Sequence, residues 1–157
     1  MAVLLLTVAI LQTSAMPSLL PWGIRPDLML LVVVSWSLLR GTREGLVWAL
    51  GGGLLLDLFS GGPLGAATIS LALSNLVISL GGLNIVRSFL WLPLAASTLA
   101  TAIYDTAYLV ILQLSGRPVQ WVPNLLQVVV PSMIWNALGM YPIYGCMRWV
   151  QQRTSEG

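Results

Sequence analysis

Three aspartates are the residues of this sequence best suited to chemistry, because each lies in or beside an apolar segment. Asp27 opens one such segment, Asp57 closes another, and Asp105 lies inside a third. A carboxyl group inside a lipid bilayer costs roughly 2.5 to 3.5 kcal/mol, so it is either held by neighbours or part of a function. The chain has one cysteine and no histidine, which argues against a metal centre and against histidine-based acid–base catalysis.

The composition predicts that lipid is the solvent of this chain. Of its 157 residues, 57% are hydrophobic and 8% are charged, whereas soluble domains carry about 25% charged residues. The seven basic residues are all arginine and are scattered, which argues against a nucleic-acid partner. Without lysine there is no phosphate-binding P-loop, and no nucleophile elbow is present. The sequence therefore predicts a protein without enzymatic activity, cofactor or metal.

The predicted fold is all-α and integral to the membrane, a six-transmembrane-helix bundle that makes up one domain over residues 1–157. Clusters of arginine, proline and glycine interrupt the apolar runs and place the spans at about 2–20, 27–39, 45–59, 64–83, 88–114 and 124–147. The first span lacks a basic leading region, so we interpret it as an uncleaved span and not as a signal peptide.

Spans two and three are short for a membrane crossing. Thirteen to fifteen residues reach only ~20 Å, against a hydrocarbon core of ~30 Å. Helices extended at their arginine ends, a locally thinned bilayer and a re-entrant hairpin are the alternatives. We favour two tilted crossings, because that topology satisfies the arginine distribution.

Arginine and tryptophan predict the orientation. With a cytoplasmic N-terminus, the outside loops hold Arg25 and Arg117, and the inside loops hold Arg40, Arg43, Arg87, Arg148 and Arg153. This excess on the inside follows the positive-inside rule and places both termini in the cytoplasm. Aromatic belts are predicted at both interfaces, with Trp22 and Trp121 outside and Trp36, Trp48, Trp91 and Trp149 inside.

Each aspartate has a predicted local role. Asp27, after Pro26, suits the N-cap of span two. Asp57 lies near a helix C-terminus, where a negative charge is disfavoured, so it needs a donor, and Arg25 is the candidate. Asp105 is deeper in the membrane. Two alternatives remain for it: a functional carboxylate, or a structural hydrogen bond to Asn136 or to a neighbouring tyrosine.

Glycines mark the predicted sites of close helix contact. Small residues recur at four-residue spacing, which permits close helix packing, in the pairs Ala49 and Gly53, Gly61 and Gly65, and Ala96 and Ala100. The run of Gly51, Gly52 and Gly53 weakens a helix. We therefore predict that another helix, in the bundle or in a partner, approaches this backbone closely.

Several short motifs between Ile24 and Gly65 resemble a known family. Span two opens with IRPDL and ends with LRG, REG follows, and the segment GLLLDLFSG then leads to PLG. These motifs are similar to those of the bacterial rod shape-determining protein MreD. The resemblance covers Pro26, Asp27, Gly53, Asp57, Gly61 and Gly65, about a quarter of the chain with its flanks.

The resemblance implies a multi-pass protein of the bacterial inner membrane with a fold similar to the S component of ECF transporters. It implies a non-enzymatic role in the elongation machinery for side-wall peptidoglycan. The implied partners are the transmembrane helix of MreC, then RodA and a class B penicillin-binding protein, with the MreB filament reached indirectly; a homodimer stays open. The alternative is a small-molecule-binding subunit of an ECF-type transporter. Spans four and six contain few polar groups beyond Asn75, Ser132 and Asn136, which argues against a polar ligand for such a subunit.

Overall fold

The computed structural model describes residues 2–15, 26–81 and 91–156, and every regular element in these ranges is helical. The prediction of an all-α fold is confirmed for this part of the chain. Arg25, Arg87 and Trp22 lie outside it. The helices are α1 (Ala2–Ile10), which continues into a π-helical turn (Leu11–Ala15), α2 (Leu28–Arg40), α3 (Thr42–Ser60), α4 (Ala66–Leu80), α5 (Trp91–Leu114), α6 (Trp121–Asn124), a second π-helical turn (Leu125–Val129) and α7 (Val130–Ser155).

One helix of the described residues, α5, is both long and apolar enough to cross a membrane. Three shorter apolar helices are Ala2–Ser14, Leu28–Arg40 and Ala66–Leu80. The helix in the third predicted span is longer than the sequence indicated, because α3 has 19 residues and is therefore ~29 Å long. The last helical segment is also longer, since α6, the second π-helical turn and α7 follow one another without a break.

Helix α2, in the shortest of the predicted spans, is the centre of the fold. Every residue of α2 from Met29 to Leu38 is buried, and α2 contacts α1, α3, α4, α5 and α7. Its sequence explains this position, because a helix that is apolar around its whole circumference has no face suited to water. Its polar members are small: Ser35 donates a hydrogen bond to the sulfur of Met140 on α7 at 3.6 Å.

A single residue, Gly41, separates α2 from α3. Its φ of 101° lies in the region that favours glycine. Residues 40–44, which separate the predicted spans two and three, are therefore mostly helical, with Arg43 and Glu44 in the first turn of α3. Arg40 and Glu44 form an ion pair of 3.9 Å.

The two tryptophans nearest this turn pack inside the bundle. Trp36 and Trp48 stack with ring centroids 4.6 Å apart, and only 6% and 5% of their surfaces are exposed. The indole N–H of Trp36 donates to Glu44 at 3.0 Å. These rings join α2 to α3 and do not face outward as members of a belt, and their depth near the inner interface stays a prediction. Trp91 and Trp149 are exposed.

The C-terminal end of α7 meets the same turn. Arg40 donates to the hydroxyl of Ser155 at 3.2 Å, and Gln151 donates to the carbonyl of Leu39 at 3.3 Å. We call this the α2–α3 end of the bundle. The turn between α3 and α4 lies at the opposite end, which we call the α3–α4 end.

Candidate functional site

The hydrogen-bonding needs of a helix N-terminus explain the place of Asp57 at the α3–α4 end. Its carboxylate, 3% exposed, accepts backbone N–H groups of Gly65 at 3.0 Å, Ala67 at 2.8 Å and Thr68 at 3.2 Å. The hydroxyl of Thr68 donates a fourth hydrogen bond at 2.7 Å. Asp57 thus supplies the negative charge that the N-terminus of α4 favours, from the last turn of the preceding helix.

The pairing of Asp57 with Arg25 stays a prediction. Arg25 lies outside the described residues, and the four bonds to Asp57 come from Gly65, Ala67 and Thr68. The sequence GPLGAAT could have predicted these backbone donors, because a turn there leads directly into a helix whose first N–H groups are free.

Two glycines shape the turn that brings α4 back to Asp57. Gly61 ends α3 with φ 65° and Gly65 precedes α4 with φ 93°, values that other residues rarely adopt. Between them, a Cβ on Gly62 would lie 2.9 Å from the hydroxyl of Tyr108 on α5. The segment from Gly61 to Gly65 is therefore a tight turn packed against α5.

The run of three glycines on α3 faces other helices of the same chain. A Cβ on Gly53 would overlap the Cα of Thr68 on α4, and one on Gly52 would lie 2.5 Å from the sulfur of Met29. At Gly51 the nearest atom is a methyl carbon of Leu5, at an ordinary 3.4 Å. The close approach at this run is thus within the bundle, to α2 and α4, and α1 is in ordinary contact.

The start of α2 is held by side chains from two other helices. Asp27 occupies the N-cap position, but its side chain makes no capping hydrogen bond, which corrects the predicted role. Gln12 caps instead: its oxygen accepts the N–H of Met29 at 2.9 Å, and its nitrogen donates to the carboxylate of Asp27 at 2.7 Å. The carbonyl of Pro26 accepts the N–H of Leu28 at 3.1 Å.

Asn136 joins three helices behind this cap. Its oxygen accepts the backbone N–H of Asp27 at 2.9 Å, and its nitrogen donates to the hydroxyl of Thr101 on α5 at 2.9 Å. The side chain is fully buried. Its amide is thereby engaged by α2 and α5, instead of by Asp105 as one alternative proposed.

Asp105 lines a cavity at the α3–α4 end, and one of its oxygens, Oδ2, is buried without a hydrogen-bond partner among the described residues. The cavity has a volume of about 490 Å³. Side chains from five helical segments and from the residue before α2 line it: Gln12, Thr13, Asp27, Leu56, Phe59, Ser60, Ala67, Tyr104, Asp105, Tyr108, Val128 and Ser132. The rings of Tyr104 and Tyr108 stack there with centroids 6.1 Å apart.

The structure thus brings together Asp27 and Asp105, which the sequence treated separately. Sequence reasoning missed Gln12 and Thr13, because they lie in a segment that reads as an ordinary first span. What the site can do chemically is bind, through carboxyl, hydroxyl and amide groups. Within the described ranges no group of three or more His, Cys, Asp or Glu side chains could hold a metal ion.

Comparison with known proteins bears on the whole chain. A family model described as rod shape-determining protein MreD matches residues 1–152, from α1 into the last turn of α7. No curated protein and no solved structure matches significantly. The resemblance found in residues 24–65 is confirmed over a much longer stretch, and the chain belongs to the MreD family, whose role is the determination of rod shape.

Proposed function

We propose that this protein is a non-enzymatic membrane scaffold of the cell-elongation machinery and that it binds MreC through its transmembrane helices. The family match over residues 1–152 carries the proposal. Through MreC, or beside it, the protein contacts RodA and a class B penicillin-binding protein, and MreB indirectly. It acts in the inner membrane with six spans and both termini in the cytoplasm.

The outer surface of the bundle supports a membrane setting. Large apolar side chains are exposed on α1, α3, α4, α5 and α7, among them Val3, Leu54, Leu58, Ile69, Leu99 and Leu138. Such a surface suits lipid or other helices. In this setting α2 is a span surrounded by protein, so its 13 residues need not match the bilayer thickness by themselves.

A groove between α4 and α5 is the surface that we assign to the partner helix. Its volume is about 560 Å³, and its lining is almost wholly apolar: Ile69, Leu73, Ala102, Ile103, Thr106, Ala107, Val110 and Ile111. Ala102 and Thr106 are small residues at four-residue spacing, which lets a second helix approach closely. The pair Ala96 and Ala100, an earlier candidate, is buried in the bundle.

Filling the groove tests the assignment. We expect Ala102→Leu to reduce co-purification of MreC from native membranes and to impair rod shape, because the added side chain occupies the space of the partner. Ala95→Leu is the matched control, since Ala95 is exposed on the same helix and is absent from the groove lining. Equal recovery of MreC with both variants would refute the groove as the docking site.

The wider proposal has a separate test. Depletion of this protein should turn rods into spheres, and expression of the wild-type chain should restore them. Rods that persist after depletion would contradict a role in elongation.

The second candidate function is a small-molecule-binding membrane subunit of an ECF-type transporter. The polar cavity favours it, because eight of the side chains that line it carry hydroxyl, amide or carboxyl groups, more than spans four and six alone suggested. Co-purification discriminates between the two: a bitopic coiled-coil protein supports the scaffold, and an ATPase module supports transport.

A further inference from the structure

The cavity at the α3–α4 end has the size of a ligand site. Its volume of about 490 Å³ falls within the range of ~300 to 1,000 Å³ typical of small-molecule pockets. It lies where the C-terminal turn of α3, the start of α2 and the middle of α5 meet. The hydrogen bonds of Gln12 and Asn136 fix the start of α2 beside it, so its walls are held by contacts that need no ligand.

The lining selects the charge of a ligand. Among the described residues, it contains two carboxyl groups, Asp27 and Asp105, and no basic side chain. Arg117, in the loop after α5, is exposed and is not part of the lining. The carboxylate of Asp105 favours a positively charged group beside it and disfavours a ligand that carries only negative charge.

The polar groups of the lining differ in how far they are already engaged. Both polar atoms of Gln12 are in hydrogen bonds with the start of α2. Oδ2 of Asp105 is buried without a partner in the described structure. A buried acceptor of this kind is costly to leave unsatisfied, and a ligand with N–H donors would satisfy it.

The aromatic walls favour an organic cation over an inorganic one. Phe59, Tyr104 and Tyr108 line the cavity, and aromatic faces attract ammonium groups. A metal ion would leave most of this volume and these rings unused. We propose that the cavity binds a primary ammonium group, carried by a free amine or by an aminated lipid headgroup, with Asp105 as the acceptor of its N–H donors.

Melting curves of the detergent-purified full chain test this site. Ethanolamine and phenethylamine should raise the melting temperature, whereas ethylene glycol, phenethyl alcohol and sodium chloride at equal ionic strength should not. The neutral alcohols match the amines in shape, so the comparison isolates the charge without any mutation. A shift that is equal for amine and alcohol, or for amine and sodium chloride, would overturn the proposal.

Lipids and a variant complete the experiment. Stabilisation by phosphatidylethanolamine, and not by phosphatidylglycerol with the same acyl chains, would identify a lipid headgroup as the source; stabilisation by the free amines alone would identify a soluble ligand. Asp105→Asn should raise the half-saturating amine concentration by about tenfold or more. Glu156→Gln is the control, because Glu156 lies at the α2–α3 end. If neither amines nor phosphatidylethanolamine stabilise the wild-type chain, the proposal is wrong, whatever the result for MreC binding.

Discussion

The carboxylate of Asp57 shows how the start of the next helix can accommodate a charge in an apolar chain. Four hydrogen bonds from Gly65, Ala67 and Thr68 satisfy it, and three of them come from backbone N–H groups at the start of α4. Those groups lack partners within their own helix. The carboxylate therefore satisfies the N–H groups of the helix end, and they in turn stabilise its charge. This is a structural role for Asp57.

Substitution of Asp57 should separate shape from charge. We expect Asp57→Asn to destabilise the protein by about 1 kcal/mol, the typical loss at a cap, since one side-chain oxygen remains to accept. Asp57→Leu should cost about 3 kcal/mol, because several buried donors lose their acceptor. Thermal melting in detergent gives the order of the two variants, and an Asp57→Leu variant that melts like the wild type would show that the carboxylate is dispensable.

Two neighbouring glycines provide a test of close packing. Gly53→Ala should destabilise the bundle by about 1 to 3 kcal/mol through overpacking, because the new Cβ meets the backbone of Thr68, which cannot move aside. Gly51→Ala is the control: its Cβ meets Leu5 at 3.4 Å, and alanine raises helix propensity by about 1 kcal/mol. Equal melting temperatures for the two variants would contradict the packing argument.

At the residue scale, sequence reasoning found the groups but not all of their partners. Asp57 was predicted to need a donor, and Gly61 and Gly65 to mark a close contact, since a charge and clustered glycines stand out from an apolar background. Gln12 was missed, because one amide in a first span has no local pattern that reveals a bond to a helix 17 residues away. Such pairings depend on how helices are arranged, and periodicity does not encode that.

Among the helices, α2 is the element whose position the sequence left open. Its short length favoured a tilted crossing and left a re-entrant hairpin as an alternative, and the structure surrounds it with five other helices. An apolar circumference does not distinguish lipid from protein as the neighbour, because both exclude water. For the same reason Trp36 and Trp48 were expected at an interface and lie stacked between α2 and α3.

Asn136 connects the central helix to the rest of the bundle, and its removal should loosen α2, α5 and α7 together. Asn136→Leu leaves the N–H of Asp27 and the hydroxyl of Thr101 without that partner, and we expect a loss of about 1 to 3 kcal/mol. Asn124→Leu is the control, because the amide of Asn124 bonds only to the carbonyl of Gln120 in its own turn. If both variants melt alike, the link between the three helices contributes no stability.

The two ends of the whole molecule differ in charge. Within the described residues, Arg40, Arg43, Arg148 and Arg153 lie at or near the α2–α3 end, and Arg117 lies beyond α5 toward the other. The hydrogen bond between Arg40 and Ser155 places the C-terminal turn of α7 on the arginine-rich side. The structure therefore places these four arginines at or near one end of the bundle. The sequence analysis assigned the same arginines to the cytoplasm from their distribution among the predicted loops.

This grouping makes the topology testable with three cysteines in a Cys146→Ser background. A membrane-impermeant maleimide added to intact spheroplasts should label Ser115→Cys, in the turn after α5, and should label Thr42→Cys and Ser155→Cys only after permeabilisation. The reason is the positive-inside rule, which keeps arginine-rich ends in the cytoplasm. Labelling of Thr42→Cys from outside would invert the topology. Labelling of Thr42→Cys and Ser155→Cys from opposite sides would break the contact between Arg40 and Ser155 as well, because one end of a bundle cannot face both sides of a membrane.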